Sequence, residues 1–179
     1  MPTDVQLDRV QERFTLWDVN GDGRIDRADL DAEAWRILQA FGESHGTPAA
    51  RTLTDAYVGL WGFFAGKAGV DEQTGSLTLE QFSLVAQEYV LNNGDAGFAR
   101  YVQPVIQAIV ELVDVDGDGQ VSPHEFTSWL DAANVQDIAP EKAFAQIDAN
   151  GDGQLSVDEL VQAVRAYHLG DIDVPLLGR

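Results

Sequence analysis

The chain has 179 residues, 45% hydrophobic and 23% charged, which suits one compact unit or two small lobes sharing a core and excludes a disordered chain. Thirty acidic against eleven basic side chains leave a formal charge of -19, which repels nucleic acid and anionic lipid and draws cations. The absence of cysteine excludes disulfides and thiolate metal sites, and nothing requires an oxidising compartment.

In chain order, a helix is expected over 4 to 17, where Phe14 and Trp17 form an apolar i, i+3 pair. Its opening, MPTDVQLDRVQERF, is charged from Asp4 and lacks the basic start and apolar run of a signal peptide, so a cytoplasmic location is expected. The segment DVNGDGRIDRAD at 18 to 29 follows, then helices over 27 to 42 and 49 to 68. The second of these contains AYVGLWGFFAG, the longest uncharged apolar stretch, too short to span a bilayer. Residues 70 to 81, VDEQTGSLTLEQ, lead into a helix over 79 to 92. The turn-rich NNGDAG at 92 to 97 divides a first lobe, 1 to 92, from a second, 98 to 169. A helix over 98 to 113 contains Pro104, which predicts a later start or a kink. DVDGDGQVSPHE at 114 to 125 precedes helices over 123 to 132 and 140 to 147, and DANGDGQLSVDE at 148 to 159 precedes a last helix over 157 to 168 and a tail, 170 to 179.

The three acidic segments share one twelve-residue pattern, that of the EF-hand loop. A hard cation such as calcium takes six to eight oxygens, and positions 1, 3 and 5 supply short side chains to surround it. These are Asp18, Asn20 and Asp22 in the first loop, Asp114, Asp116 and Asp118 in the third, and Asp148, Asn150 and Asp152 in the fourth. Glycine at position 6 makes the sharp turn (Gly23, Gly119, Gly153), and position 7 offers only its carbonyl, so Arg24, Gln120 and Gln154 are all acceptable. Position 9 (Asp26, Ser122, Ser156) acts directly or through water, and position 12 (Asp29, Glu125, Glu159) closes the shell with a carboxylate. One match could be an acidic surface turn, though a site is the better reading of it; three with glycine at 6, an aliphatic residue at 8 and an acid at 12 leave the surface turn very little weight.

Aligned on Gly75 and Leu77, residues 70 to 81 place Val70 at position 1 and Gln81 at position 12, so no calcium is expected there. The segment keeps its glycine turn and a helix-capping pair, Thr78 with Gln81, like Ser122 with Glu125 and Ser156 with Glu159. EF-hands pair through the strand edge at position 8. Ile25 is therefore expected opposite Leu77, and Val121 opposite Leu155, which makes the second hand a structural partner of the first. The fold class expected is all-α: four EF-hands in two pairs, packed as one globule with short antiparallel β contacts.

The four hands, their uneven spacing and the inactive second one resemble the sarcoplasmic calcium-binding proteins, most closely their bacterial members. The likeness runs nearly end to end, through FTLWDVNGDGRIDRADLDAEA, GSLTLEQF and ELVQAVRAYHLGDIDVPLLG. It implies calcium at the first, third and fourth hands, a compact all-helical fold and a role as calcium buffer or transporter. Asp29 is one methylene shorter than glutamate, so the first site is expected to coordinate calcium less fully and to tolerate magnesium, partly offset by Asp26. Eleven clustered ligand carboxylates predict a looser chain without the ion.

Against a target-binding sensor stands the single methionine, Met1, because adaptable grooves overuse that residue. The Trp and Phe side chains read as core. The tail's Ile172, Val174, Leu176 and Leu177 either lie across a lobe, filling the groove a target would need, or fray. A dockerin-like module is disfavoured by the four full hands. An enzyme is disfavoured by scattered His45, His124 and His168, read as surface or helix-terminal, and by the lack of a nucleophile motif. A monomer without membrane insertion is expected.

Overall fold

A computed structural model describes residues 1 to 178, and six of its eight α-helices start where a side chain satisfies free backbone N–H groups, the exceptions following Asn93 and Ala139. Helix α1 (Asp4–Trp17) is capped by Thr3, whose hydroxyl accepts from Gln6 N while the Gln6 side chain returns to Thr3 N. Strand β1 (Arg24–Asp26) runs into α2 (Arg27–Ala40), capped reciprocally by Asp26 and Asp29. Helix α3 (Pro48–Ala68) has Thr47 as cap and Pro48 in its first turn, and it stops at Gly69 in the left-handed conformation. Strand β2 (Ser76–Thr78) leads into α4 (Leu79–Val85), which widens into a π-helical segment over Ala86–Leu91. There follow α5 (Gly94–Val113), α6 (Pro123–Ala132), α7 (Pro140–Ile147) and α8 (Val157–Leu169), the last ending at Gly170 with φ 87°.

Helices α1, α6 and α7 have the bounds expected from sequence, and the others differ by a few residues. The largest difference lies at NNGDAG. Residues 94 to 97 belong to α5 instead of a linker, and a side chain at Gly97 would come within 2.6 Å of the Asn93 Cβ. Glycine here permits close packing where its turn propensity suggested a break. Pro104 lies inside α5, which neither starts after it nor ends there.

The four hands associate through two β contacts. β1 and β2 pair antiparallel with Ile25 opposite Leu77, and Val121 and Leu155 exchange two backbone hydrogen bonds of 2.9 Å. Both expected partners are met. One continuous core then joins the halves: α3 packs on α5, α5 on α8, and α1 on both α4 and α8. Trp17 stands edge-on to Tyr57, Phe64 and Phe82, and Phe64 stacks on Phe82 at 4.9 Å.

The closing segment is docked, not frayed. Val174, Leu176 and Leu177 are buried, Trp129 Nε1 donates to the Leu176 carbonyl (2.8 Å), and Arg13 donates to the carbonyls of Leu177 and Gly178 (2.9 and 3.2 Å). Among the described residues no helix is long and apolar enough to cross a membrane.

Candidate metal centres

Each acidic loop begins where a helix stops, so Asp18, Asp114 and Asp148 are the C-caps of α1, α5 and α7. Their carboxylates gather the loop amides around them. Asp18 accepts from Asp22 N (3.0 Å) and Gly23 N (2.8 Å), Asp114 from Gly117 N (2.7 Å) and Gly119 N (2.8 Å), and Asp148 from Gly151 N (2.9 Å) and Gly153 N (3.1 Å). Position 3 accepts from position 5 in all three loops: Asn20 from Asp22, Asp116 from Asp118, Asn150 from Asp152. Position 5 accepts in turn from Arg24, Gln120 or Gln154 N at position 7. The turn at position 6 is left-handed at Gly23, Gly119 and Gly153, with φ of 81°, 77° and 82°. Position 4 is left-handed too, at Gly21, Gly117 and Gly151, a requirement sequence reasoning missed although the NGDG and DGDG runs display it.

Position 12 draws each loop shut. One Glu125 oxygen accepts from Val115 N and the other from Ser122 N, both at 2.8 Å. Glu159 spans Ala149 N (3.1 Å) and Ser156 N (2.9 Å) in the same way. Asp29 makes the same bridge despite its shorter arm, from Val19 N (3.2 Å) to Asp26 N (3.0 Å). Asp26 itself serves α2, accepting from Ala28 N at 2.8 Å.

These environments set the acidities in different directions. Burial raises the Asp29 carboxyl above the ordinary range, and the amides it accepts from, with Asp26 and Asp18 charges nearby, leave it there. Burial also acts to raise Asp114, Glu125 and Glu159, but their backbone amides outweigh it and hold all three below the usual carboxylate range. Asp116 accepts a lowering hydrogen bond from Asp118 N, yet desolvation and the charges of Asp118 and Glu125 lift it overall.

Asp114, Asp116 and Asp118 each bring a carboxylate oxygen within 4.8 Å of the others, the one group of three acidic side chains so gathered among the described residues. Oxygens on opposite sides of a calcium ion bonded at 2.3–2.6 Å are separated by about 5 Å, so this donor set fits a hard divalent cation. In the first and fourth loops Asn20 and Asn150 stand at position 3, where their amide oxygens accept from Asp22 N and Asp152 N as Asp116 does from Asp118 N.

Residues 70 to 81 are built differently. Helix α3 ends one residue early, and Val70 offers no oxygen side chain; Asp71 takes over as the anchor, accepting from Gln73 N (2.9 Å), Thr74 N (2.8 Å) and the Thr74 hydroxyl (2.9 Å). Those Thr74 and Gln73 hydrogen bonds hold the Asp71 carboxyl below its ordinary range. Gln81 keeps half of the bridge, accepting from Thr78 N (3.0 Å). The expectation of a preserved glycine turn needs correction, because Gly75 is not in the left-handed region. Its N–H donates to the Asp71 carbonyl (2.8 Å), and a Cβ there would collide with that oxygen, so the position needs glycine for proximity and not for φ. The sequence alignment hid Asp71 because it lies one place beyond the expected first ligand.

The histidines separate. His45 stacks on Trp35 at 3.4 Å, whereas His168, expected at a surface or helix end, is at the end of α8 but packs inward, its Nδ1 donating to the Val164 carbonyl at 2.8 Å. Loss of water and the nearby Arg13 and Arg9 charges push it down to about 3.

The family model described as EF hand matches residues 10–32, 106–130 and 141–164, which carry the three acidic loops. Calerythrin of Saccharopolyspora erythraea is 42% identical over 178 residues, covering 99% of this chain and 100% of that protein. A solved calcium-binding protein of Streptomyces coelicolor is 27% identical with a TM-score of 0.69, over 94% of this chain and 99% of that one. A sarcoplasmic calcium-binding protein from amphioxus has the same fold, with a TM-score of 0.74 at 17% identity over 100% and 99% of the two chains. Three acidic loops of one geometry, a second hand whose anchor has moved to Asp71, and 42% identity to calerythrin over nearly the whole chain place this chain in the calerythrin-like branch of the sarcoplasmic calcium-binding proteins.

Proposed function

We propose that this calcium-binding protein is a cytoplasmic, monomeric, non-catalytic calcium buffer or transporter with three sites. In the first, Asp18, Asn20, Asp22, the Arg24 carbonyl, Asp26 and Asp29 hold the ion; in the third, Asp114, Asp116, Asp118, the Gln120 carbonyl, Ser122 and Glu125; in the fourth, Asp148, Asn150, Asp152, the Gln154 carbonyl, Ser156 and Glu159. Calcium supplies a positive centre that offsets carboxylate repulsion, and the chain supplies turned loops whose amides pre-orient the oxygens. Residues 1 to 92 and 98 to 169 act as two paired-hand lobes, with the second hand as scaffold. The observation that carries this reading is the shared bridge from position 12 to positions 2 and 9, present in the three acidic loops and reduced to half at Gln81.

Buffering is favoured over target capture by the docked closing segment, which covers Trp129 and leaves no methionine-lined groove. The second reading, a sensor, has one point in its favour: the Streptomyces coelicolor relative is tied to calcium-mediated regulation. Calorimetric calcium titration with and without millimolar magnesium, beside an apolar-dye assay, separates them. Three ions with little dye uptake support the buffer, and magnesium is expected to compete chiefly at the first hand. Strong dye uptake on loading would establish the sensor. Glu159→Gln should weaken one site by about tenfold or more while two remain, and a fourth strong site would refute the scaffold role of residues 70 to 81.

A further inference from the structure

The helix that leaves the second hand changes its winding before it reaches the other half of the molecule. At about 100° per residue, an α-helix continued from Phe82 would carry Val85, Ala86, Tyr89 and Val90 on one stripe and place Leu91 on the opposite side. The structure does otherwise. Val85, Ala86, Val90 and Leu91 are all buried, whereas Tyr89 is turned to the surface, partly exposed, with Lys67 Nζ over its ring at 4.5 Å and Phe63 edge-on at 6.5 Å. A wider turn brings Leu91 inward: Ala86–Leu91 is π-helical, and the Asn92 N–H donates to the Gln87 carbonyl, five residues back, at 3.0 Å.

A π turn gives up regular α-helical hydrogen bonding to bury one more side chain, so it persists only where that burial offsets the loss. The packing beneath this one is incomplete. Ala86, Val90 and Leu91, the three buried residues of the turn, all border an apolar cavity of about 60 Å³ between the halves, with Phe64, Phe98 and Tyr101 among its other walls. Interiors are ordinarily filled to crystal density, so a void directly under an irregular turn leaves room for a second arrangement. In that arrangement the segment is α-helical, Leu91 swings to the surface, and the larger Tyr89 ring enters the space of Leu91 and the cavity beside it. Tyr89 then gives up one cation–π contact and one edge-on ring contact, both small, and the segment gains regular hydrogen bonds and a filled void.

We propose that residues 86 to 91 are a two-register switch, π with Leu91 buried and α with Tyr89 buried, which turns α5 against α4. Helix α4 starts at the Thr78 and Gln81 cap of the second hand and α5 ends at Asp114, so the register sets how the helix carrying the third loop is presented. The test reads the position of Tyr89 and not ion uptake, so the switch and the buffer role stand or fall separately. The calcium-loaded full chain, labelled with fluorotyrosine, is followed by fluorine NMR, with Tyr89→Phe assigning the signal. In the wild type a soluble paramagnetic agent should broaden the Tyr89 signal, and relaxation dispersion should show exchange with a shielded minor state of about 1–10%. Leu91→Ala removes the side chain that favours the π register and widens the space for the ring, so the shielded state should become the major one. Deleting Glu88, or Gln87 should the first not fold, removes the extra residue: Val90 and Leu91 then both lie within about 80° of Phe82 on an unbroken α-helix and Tyr89 stays outside. Only the surface signal should remain there, free of dispersion. A dispersion-free wild-type signal, a Tyr89 still at the surface in Leu91→Ala, or dispersion persisting in a folded deletion variant would each overturn the switch.

Discussion

His168 shows how one side chain couples the interior to pH. In an unfolded chain its imidazole titrates near 6.5, whereas in the fold it is pushed down to about 3. Above pH 6.5 both states hold a neutral ring and its contribution to stability is fully present. Below that value the unfolded chain takes up a proton that the folded chain refuses, and the contribution drains away until about pH 3. Denaturant unfolding at pH 7.5 and 5.5 should therefore show a loss of up to about 1.4 kcal/mol per pH unit across the titrating range from this group, absent from His168→Gln. Nothing in the residues flanking His168 announces this behaviour. An isolated histidine near a helix terminus is ordinarily solvated, and only the approach of α1 and α5 removes its water. Arg13 was invisible for the same reason: a lone cation in an amphipathic helix is indistinguishable on paper from its neighbours, and its acceptors lie 164 and 165 residues away.

At the scale of single elements, what could be read in advance was local and what could not was relational. The acidic loops and the bounds of α1, α6 and α7 follow from short-range rules of capping and apolar periodicity, and position 8 pairing follows from the need to satisfy a strand edge. The start of α5 was hidden because Asn, Gly and Asp favour turns on their own, while packing of Gly97 over Asn93 decides otherwise. The second hand was half legible: its missing end carboxylates were plain, but the handover from Val70 to Asp71 depends on a backbone turn that glycine alone allows. Gly75→Ala should accordingly force the Asp71 carbonyl aside and cost about 1–3 kcal/mol. Thermal unfolding of the calcium-loaded chain measures this, and an unchanged midpoint would mean the loop has slack. The loss should be accompanied by little change at the third and fourth hands, whose β contact is separate.

For the whole molecule the closing segment is the clasp. Residues 174 to 178 meet Arg13 from one half and Trp129 from the other, and they bury three aliphatic side chains between them. Truncation after Asp173 should cost several kcal/mol, on the order of 4, and leave Trp129 wet, with dye uptake even when calcium is bound. A truncated chain that stays dye-silent would show that the halves seal without it. The reciprocal hydrogen bonds between Val121 and Leu155 have a different consequence. They tie two charged loops into one mechanical unit, so ordering either loop prepays part of the entropy of ordering the other, and their two ions should load steeply, as a couple, with a Hill coefficient above one. The strand of the first loop pairs instead with that of the second hand, the proposed scaffold. Its ion should load alone, on a shallow hyperbola, giving the protein two distinguishable thresholds for one cation.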